Sequence, residues 1–285
     1  MEVLLALLIR QPEISLRFRI RPKIEERRRF SMDHQLLSIL FVCACTFLGG
    51  LIDAIAGGGG LITLPAYLAV GLPPHLATGT NKCSSTLGTL VAGLRYLKKG
   101  KIHLKSAIAA SVMSLIGSFL GARLNLFVDE KYLSYVLIAV VPVITVLILF
   151  KKDPQPGQFK LKSDLTIIVL AMLCGFGIGV YDGFFGPGTG TFLIFCFTGI
   201  IGFDAVTSSG NAKLINFCSN LAAFITFAVH GKIIYSIGLP AAAAGIAGNW
   251  LGAGLALRYS AKVIKPMLVV SVLLLLGKII YDLIL

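Results

Sequence analysis

The chain has 285 residues, of which 56% are hydrophobic and 14% charged, with a mean hydropathy of +0.87. A soluble domain carries about 25% charged residues, so a water-soluble globular fold is excluded. The net charge of +13 would suit a nucleic acid, but the basic residues fall at the ends of apolar segments rather than along one face. That pattern reports membrane topology, and no nucleic-acid partner is expected.

Residues 1–35 read as a basic N-terminal extension, disordered or mis-started. Positions 1–31 hold eight Arg/Lys and four Glu and no stretch long enough to span. A secretory signal places its basic residues before the apolar core, whereas here the apolar run 4–9 comes first and Met32 directly precedes the membrane segments. This stretch is expected to be dispensable. From Leu36 the apolar segments run 36–56, 61–70, 76–97, 106–127, 133–150, 165–181, 191–201, 206–229, 234–257 and 263–284. Many approach the roughly 17–25 residues that cross a bilayer as a helix. A linker at 151–164, rich in Lys, Pro and Gly, separates a first membrane repeat, 36–150, from a second, 165–285.

The two halves are versions of one another. Asp53 matches Asp182, Gly57 matches Gly186 and Gly59 matches Gly188, all at an offset of 129. The offset then becomes 131: Gly71 with Gly202, Lys82 with Lys213, Gly100-Lys101-Ile102 with Gly231-Lys232-Ile233, and Gly117-x-x-Leu-Gly-Ala with Gly248-x-x-Leu-Gly-Ala. A duplicated membrane unit with interrupted helices is the pattern of a transporter built from internal repeats.

At about 1.5 Å per residue, the region 36–70 would extend some 52 Å as one helix, too long for one crossing. Gly57, Gly58, Gly59 and Gly60 fall inside it, where an unsupported helix breaks. Regions 36–70 and 165–201 are therefore read as helical hairpins, either fully crossing or re-entrant. The fold class is an all-α polytopic membrane protein of two repeats, each a glycine-broken hairpin plus three transmembrane helices, about eight or more membrane helices in all. An odd number of crossings per repeat makes the repeats inverted. Arg95, Lys98, Lys99, Lys101 and Lys105 share a side with the basic residues of 151–162 and 258–265, against Arg123, Lys131, Lys232 and Lys278 opposite. The richer side, linker included, is expected to be cytoplasmic, in a bacterial inner membrane.

Carboxylates at bilayer depth cost several kcal/mol unless paired, protonated or facing water, so Asp53 and Asp182 are functional candidates. Capping of the adjacent break is an equal reading, and the two roles can coexist. Gly57 to Gly60 and Gly186-Pro187-Gly188-Thr189-Gly190 expose backbone amides, and the helix start after each break suits an anion. The competing reading is a plain bend or close packing. No phosphate-loop motif follows. Asn81-Lys82 and Asn211-x-Lys213 lie early in the next spans. Their lysines either supply positive charge to an anion or snorkel to the headgroups. The Gly-x-x-x-Gly pairs at 117/121 and 248/252 read as helix packing. Cys43, Cys45, Cys83, Cys174, Cys196 and Cys218 read as small buried hydrophobes. His34, His75, His103 and His230 form no ligand cluster in sequence, so no metal, cofactor or enzyme chemistry is expected.

The run Asp53-x-x-x-Gly-Gly-Gly-Gly-Leu-Ile-Thr-Leu-Pro, with Thr80-Asn81-Lys82, Tyr181-Asp182-Gly-Phe-Phe-Gly-Pro-Gly-x-Gly-Thr-Phe and Asn211-Ala212-Lys213-Leu-x-Asn, resembles the sulfite exporter TauE/SafE family, and within it the YfcA subgroup. The resemblance covers about 36–285. It implies a secondary permease for small anions, sulfite and organosulfonates being typical. Residues 1–31 fall outside the family pattern, and Asn-Ala-Lys in place of Thr-Asn-Lys makes the two lysine environments inequivalent.

The expected function is secondary-active transport of a small anion, a sulfur oxyanion or organosulfonate such as sulfite. Gly57, Gly58, Gly59, Gly60, Asn81, Lys82, Gly186, Pro187, Gly188, Gly190, Asn211 and Lys213 would form the substrate site. Asp53 and Asp182 would cap the hairpins or carry a coupled proton. The alternative is a cation- or proton-coupled permease for another small solute that uses both aspartates. The expected partners are the anion and the lipid bilayer, and a homo-oligomer is compatible with both.

Overall fold

The computed structural model describes residues 35–133 and 163–259. Eight helices follow in order: α1 Gln35–Ala56, α2 Gly60–Ala69, α3 Pro74–Lys98, α4 Leu104–Phe127, α5 Asp164–Phe184, α6 Thr189–Phe195, α7 Ala205–Val229 and α8 Tyr235–Tyr259. A π-helical turn, Cys196–Ile201, continues α6. Contacts divide the chain after Phe41: residues 35–41 open α1, and the unit beginning at Val42 holds the remainder of α1 and the other helices. The apolar segments 133–150 and 263–284, the linker and the N-terminal extension lie essentially outside the described residues.

Helix boundaries follow from local chemistry. Proline at the first position of α3 has no amide to leave unpaired. Asp204 caps α7 by accepting from the amides of Val206 and Thr207 at 3.0 and 3.1 Å, and Ser163 caps α5 through Thr166. Glycines in the left-handed region end the elements in matched pairs: Gly57 with Gly186, Gly71 with Gly202, and Gly100 with Gly231. The duplication is therefore repeated in the backbone at these three turns, though Gly188 is left-handed and its counterpart Gly59 is not.

Among the described residues, α1, α4, α5 and α7 are long and apolar enough to cross a membrane. Helices α3 and α8, each 25 residues, have the length but not the apolarity. The first buries a row of polar side chains and the second is rich in Gly and Ala. Four helices among the described residues thus meet that description, where eight or more were expected of the whole chain. With ten residues, α2 reaches only about 15 Å, half the hydrocarbon thickness, so its hairpin arm cannot cross alone.

The halves interlock through backbone contacts that glycine permits. On α4, Gly117 and Gly121 meet the backbone of Phe176 and Val180 on α5, while Gly248 and Gly252 of α8 meet Phe47 and Leu51 on α1. The Gly-x-x-x-Gly pairs are packing surfaces, each set against the first helix of the opposite repeat. Contacts of Ala110 with Gly175, Ser114 with Gly179 and Ser118 with Gly183 rise together, so α4 and α5 run parallel. Thr46 with Gly245 and Leu51 with Gly252 show the same for α1 and α8. By contrast, α3 and α7 run antiparallel. Gly79 near the start of α3 sits on the Lys232 carbonyl just past α7, and Gly210 near the start of α7 sits on the Lys101 carbonyl just past α3.

One expectation needs correcting. Only Cys83 is buried, and the other five cysteines are half-buried.

A β-carbon at Gly121 would lie 2.0 Å from the Val180 carbonyl oxygen, whereas one at Gly177 meets nothing within 4 Å. Gly121→Ala should therefore destabilise the fold by about 1–3 kcal/mol. Gly177→Ala should be neutral or stabilising by up to about 1 kcal/mol. Thermal unfolding of both variants in detergent checks the contrast.

Candidate functional site

The two glycine breaks meet inside the molecule. Each follows an aspartate by four residues, and each opens on a glycine with positive φ, Gly57 at 85° and Gly186 at 94°. A β-carbon on Gly57 would fall 2.1 Å from the Gly190 carbonyl carbon, and one on Gly190 would fall 2.5 Å from the Gly57 Cα. Gly60 faces Pro187, and the Thr191 hydroxyl donates to the Ala56 carbonyl at 3.0 Å. No side chain larger than hydrogen fits at the crossing, which is why the sequence places glycine there. Among the described residues, the amides of Gly59, Gly60, Gly188 and Gly190 donate to no backbone carbonyl.

Across this junction run two buried ion pairs, each joining one repeat to the other. Lys82 Nζ lies 2.8 Å from Asp182 Oδ1, and Lys213 Nζ lies 2.7 Å from Asp53 Oδ2. Neither lysine snorkels: Lys82 is 1% exposed and Lys213 is fully buried. Taking four charges out of water is costly unless each is paired and hydrogen-bonded, and here the pairing makes the group neutral as a whole.

The two pairs have unequal surroundings. Lys82 also donates to Asn220 Oδ1 at 2.9 Å. Thr189 Oγ1 lies 2.7 Å from Asp182 Oδ1, and Ser219 Oγ lies 2.6 Å from Oδ2. The Asp53 carboxylate has Lys213 as its only hydrogen-bonding partner among the described residues.

A cavity of about 480 Å³, counting space open to solvent, lies beside the junction. It is bordered by Asp53, Gly57, Gly59, Gly60, Asn81, Lys82, Asp182, Gly186 and Gly190. Of the other residues singled out in the sequence, Gly58, Pro187 and Gly188 belong to the same junction but do not border the cavity, and neither does Lys213. Asn211 is elsewhere: its amide donates one turn back to the Thr207 carbonyl at 2.7 Å. The offset of 131 pairs Asn211 with Thr80 rather than with Asn81, whose counterpart is Ala212. Asn81 precedes its lysine by one position and Asn211 by two, so the shared residue type is not a shared position.

Several cavity residues escaped the sequence reading. Asn216 and Asn220 follow Lys213 by three and seven residues on one face of α7, and at an offset of 131 they match the polar Ser85 and Thr89. That recurrence was a usable signal. The cavity also takes in Thr46, Thr63, Ser84 and Asn249. Thr63 donates to Asn81 Oδ1 at 2.7 Å, and Asn220 Nδ2 donates to Asn216 Oδ1 at 3.1 Å. These bonds leave the side-chain N–H groups of Asn81 and Asn216 without an acceptor among the described residues. Together with Lys82 they form a donor-rich wall, and no group of three metal-ligating side chains exists among the described residues.

An all-helical chain with membrane-length apolar helices and a buried, charge-paired cavity between two halves defines a membrane transporter. Residues 42–279 match the family model for sulfite exporter TauE/SafE, and the chain belongs to that family. A Haemophilus influenzae protein named "Probable membrane transporter protein" is 36% identical over 247 residues, covering 87% of this chain and 95% of the relative. The Sinorhizobium "Probable membrane transporter protein ORF9" is 38% identical over 237 residues, 82% of this chain and 88% of that one. The Escherichia coli K12 "Probable membrane transporter protein YfcA" is 32% identical over 253 residues, covering 89% and 93%. No solved structure matches.

Removing one partner of a buried pair strands the other charge. Lys213→Met should therefore lower stability by about 3–5 kcal/mol, and Lys213→Met combined with Asp53→Leu should recover most of that loss. Chemical unfolding in detergent of the two variants measures the difference.

Proposed function

We propose that this protein is a secondary-active, multi-pass transporter of a small anion, a sulfur oxyanion or organosulfonate such as sulfite, in a bacterial inner membrane. The observation that carries this reading is the donor-rich wall: a buried lysine at a cavity, flanked by free side-chain amides and by glycine amides lacking acceptors. Such groups satisfy an oxyanion and repel a cation. The family's own description, sulfite exporter, points to the same class.

Helix directions support reading the two halves as inverted repeats. Helix α1 is parallel to α8, and α8 is parallel to α3, since Gly238 meets Thr80 and Gly254 meets Arg95. Helix α3 is antiparallel to α7, and α7 is parallel to α4, since Gly210 meets Ile102 and Ser118 donates to the Ser219 carbonyl. With α4 parallel to α5, the first helices of the two halves point in opposite senses. Rocking one half against the other around a fixed central cavity would then open it alternately to either side.

In this mechanism an arriving anion competes with Asp182 for Lys82. Protonation of an aspartate frees its lysine, so a proton bound to Asp53 or Asp182 compensates the substrate charge. Lys213 holds Asp53 in place rather than touching the solute. The second reading, a cation permease, draws on both aspartates bordering the cavity while only one lysine does.

Purified protein in liposomes should take up sulfite or an organosulfonate faster under an imposed pH gradient. Lys82→Gln should reduce that flux at least tenfold. If cation flux is found instead and survives Lys82→Gln, the anion reading is wrong. Asp53→Asn should remove or flatten the pH-gradient dependence, and transport with unaltered pH dependence excludes Asp53 as the proton carrier.

A further inference from the structure

The cavity is not lined by donors alone. Asn249 on α8 borders it, is only 4% exposed, and its side-chain oxygen Oδ1 is buried with no hydrogen-bond partner. The amide orientation is set by its neighbours: Nδ2 donates one turn back to the Gly245 carbonyl at 3.0 Å. Turning the amide over would place oxygen against oxygen. A buried acceptor left without a donor is destabilising, so an unfilled one on a cavity wall is a feature that a ligand donor would satisfy. Asn211 carries the same kind of unpaired oxygen, but it does not border the cavity.

Two further observations tie this residue to the solute space. Space for the amide exists because α1 and α3 present glycine to it: a β-carbon on Gly50 would lie 2.7 Å from Nδ2 and one on Gly88 would lie 2.4 Å away. The other repeat does not reproduce the arrangement. At an offset of 131, Asn249 corresponds to Ser118, whose hydroxyl is spent on the Ser219 carbonyl at 2.6 Å, and Gly88 corresponds to Ser219 itself. The acceptor is a departure from the duplication at the cavity. It is also displaced from the positive end of the site: Gly88 lies six residues beyond Lys82 on α3, about 9 Å along the helix axis.

We infer that Asn249 is a specificity-determining residue that accepts a hydrogen bond from the transported anion, so that the preferred substrate is a small sulfonate carrying an O–H or N–H donor apart from its charged group. This rests on the anion reading above. It narrows the substrate class from any small oxyanion to one with a donor, because a bare oxyanion leaves Oδ1 unpaired.

The probes are 2-hydroxyethanesulfonate and 1-propanesulfonate, which differ in that a terminal methyl replaces the hydroxyl. Binding to the detergent-purified full chain is followed by titration calorimetry and initial flux in liposomes. The expected result is about a tenfold preference for the hydroxylated probe in the parent protein, the scale of one unpaired buried group. Asn249→Leu, which has similar volume and no acceptor, should abolish that preference while keeping 1-propanesulfonate binding within about threefold, which also reports that the variant is folded. Asn249→Ser, the residue type of the other repeat, should retain part of the preference. Equal binding of both probes by the parent protein, or a preference that survives in both variants, overturns the inference and identifies Oδ1 as a water site only. If neither sulfonate binds or moves, the anion reading itself falls, and with it this inference.

Discussion

Two salt links, each spanning from one half of the chain to the other, govern this structure. A lysine or aspartate at this depth has no tolerable state alone, since leaving one charge uncompensated costs several kcal/mol. Lys82 is neutralised by Asp182 and Lys213 by Asp53. Neither repeat can therefore satisfy its own charges, and each supplies what the other lacks. The same exchange governs packing: α4 rests on α5, α8 on α1, and the turn after each of α3 and α7 rests on the start of the other. A fold whose halves complete one another has its charged centre at their interface.

The glycine breaks make that exchange possible. An unbroken helix at Gly57 or Gly190 would hold two backbones apart by the width of side chains, and the lysines could not reach across. With hydrogen in place of a β-carbon, the two turns come into backbone contact, and the positive φ at Gly57 and Gly186 turns each chain sharply after its aspartate. The broken helices also leave amides without carbonyl partners. Close approach and unpaired backbone donors are thus two results of one local choice.

Much of this was legible in the sequence, for identifiable reasons. Apolar runs bounded by Gly, Pro and charged residues placed the described helices to within about three residues, because the bilayer imposes segment length. The breaks at Gly57 and Gly186, the packing role of Gly117 and Gly248, and the pairing of Lys82 with Lys213 by position were readable from the repeat itself. What could not be read was who meets whom. An alignment of two halves says that Asp53 and Asp182 are equivalent, but not that each bonds the lysine of the other half. Asn211 lies away from the cavity because its amide turns back along α7, which its register beside Lys213 does not reveal. Asn249 carries no sequence signal at all: it sits inside a Gly-x-x-x-Gly motif that reads as packing, and its unpaired oxygen exists only because Gly50 and Gly88 arrive from other helices.

Departures from the duplication then bear directly on how such a machine would work. Were the halves identical in sequence, exchanging their conformations would produce a state of equal energy with the cavity opened to the opposite side, and neither side would be favoured by the protein itself. Only positions that break the equivalence can give the two states different energies or affinities. Around the centre these include Gly60 against Thr189, Asn81 against Ala212, Ser85 against Asn216, Gly88 against Ser219, Thr89 against Asn220, and Ser118 against Asn249. Their effect is already visible in the charge network. Ser219 and Thr189 surround Asp182 with hydroxyls, whereas Gly88 and Gly60, at the matching positions, leave Asp53 with its lysine alone. One ion pair is thereby clamped and the other is held by a single bond. In the cycle proposed above, the loosely held pair is where a proton would change the balance, while the anion would compete at the clamped pair, whose hydroxyls hold Asp182 as it gives up Lys82.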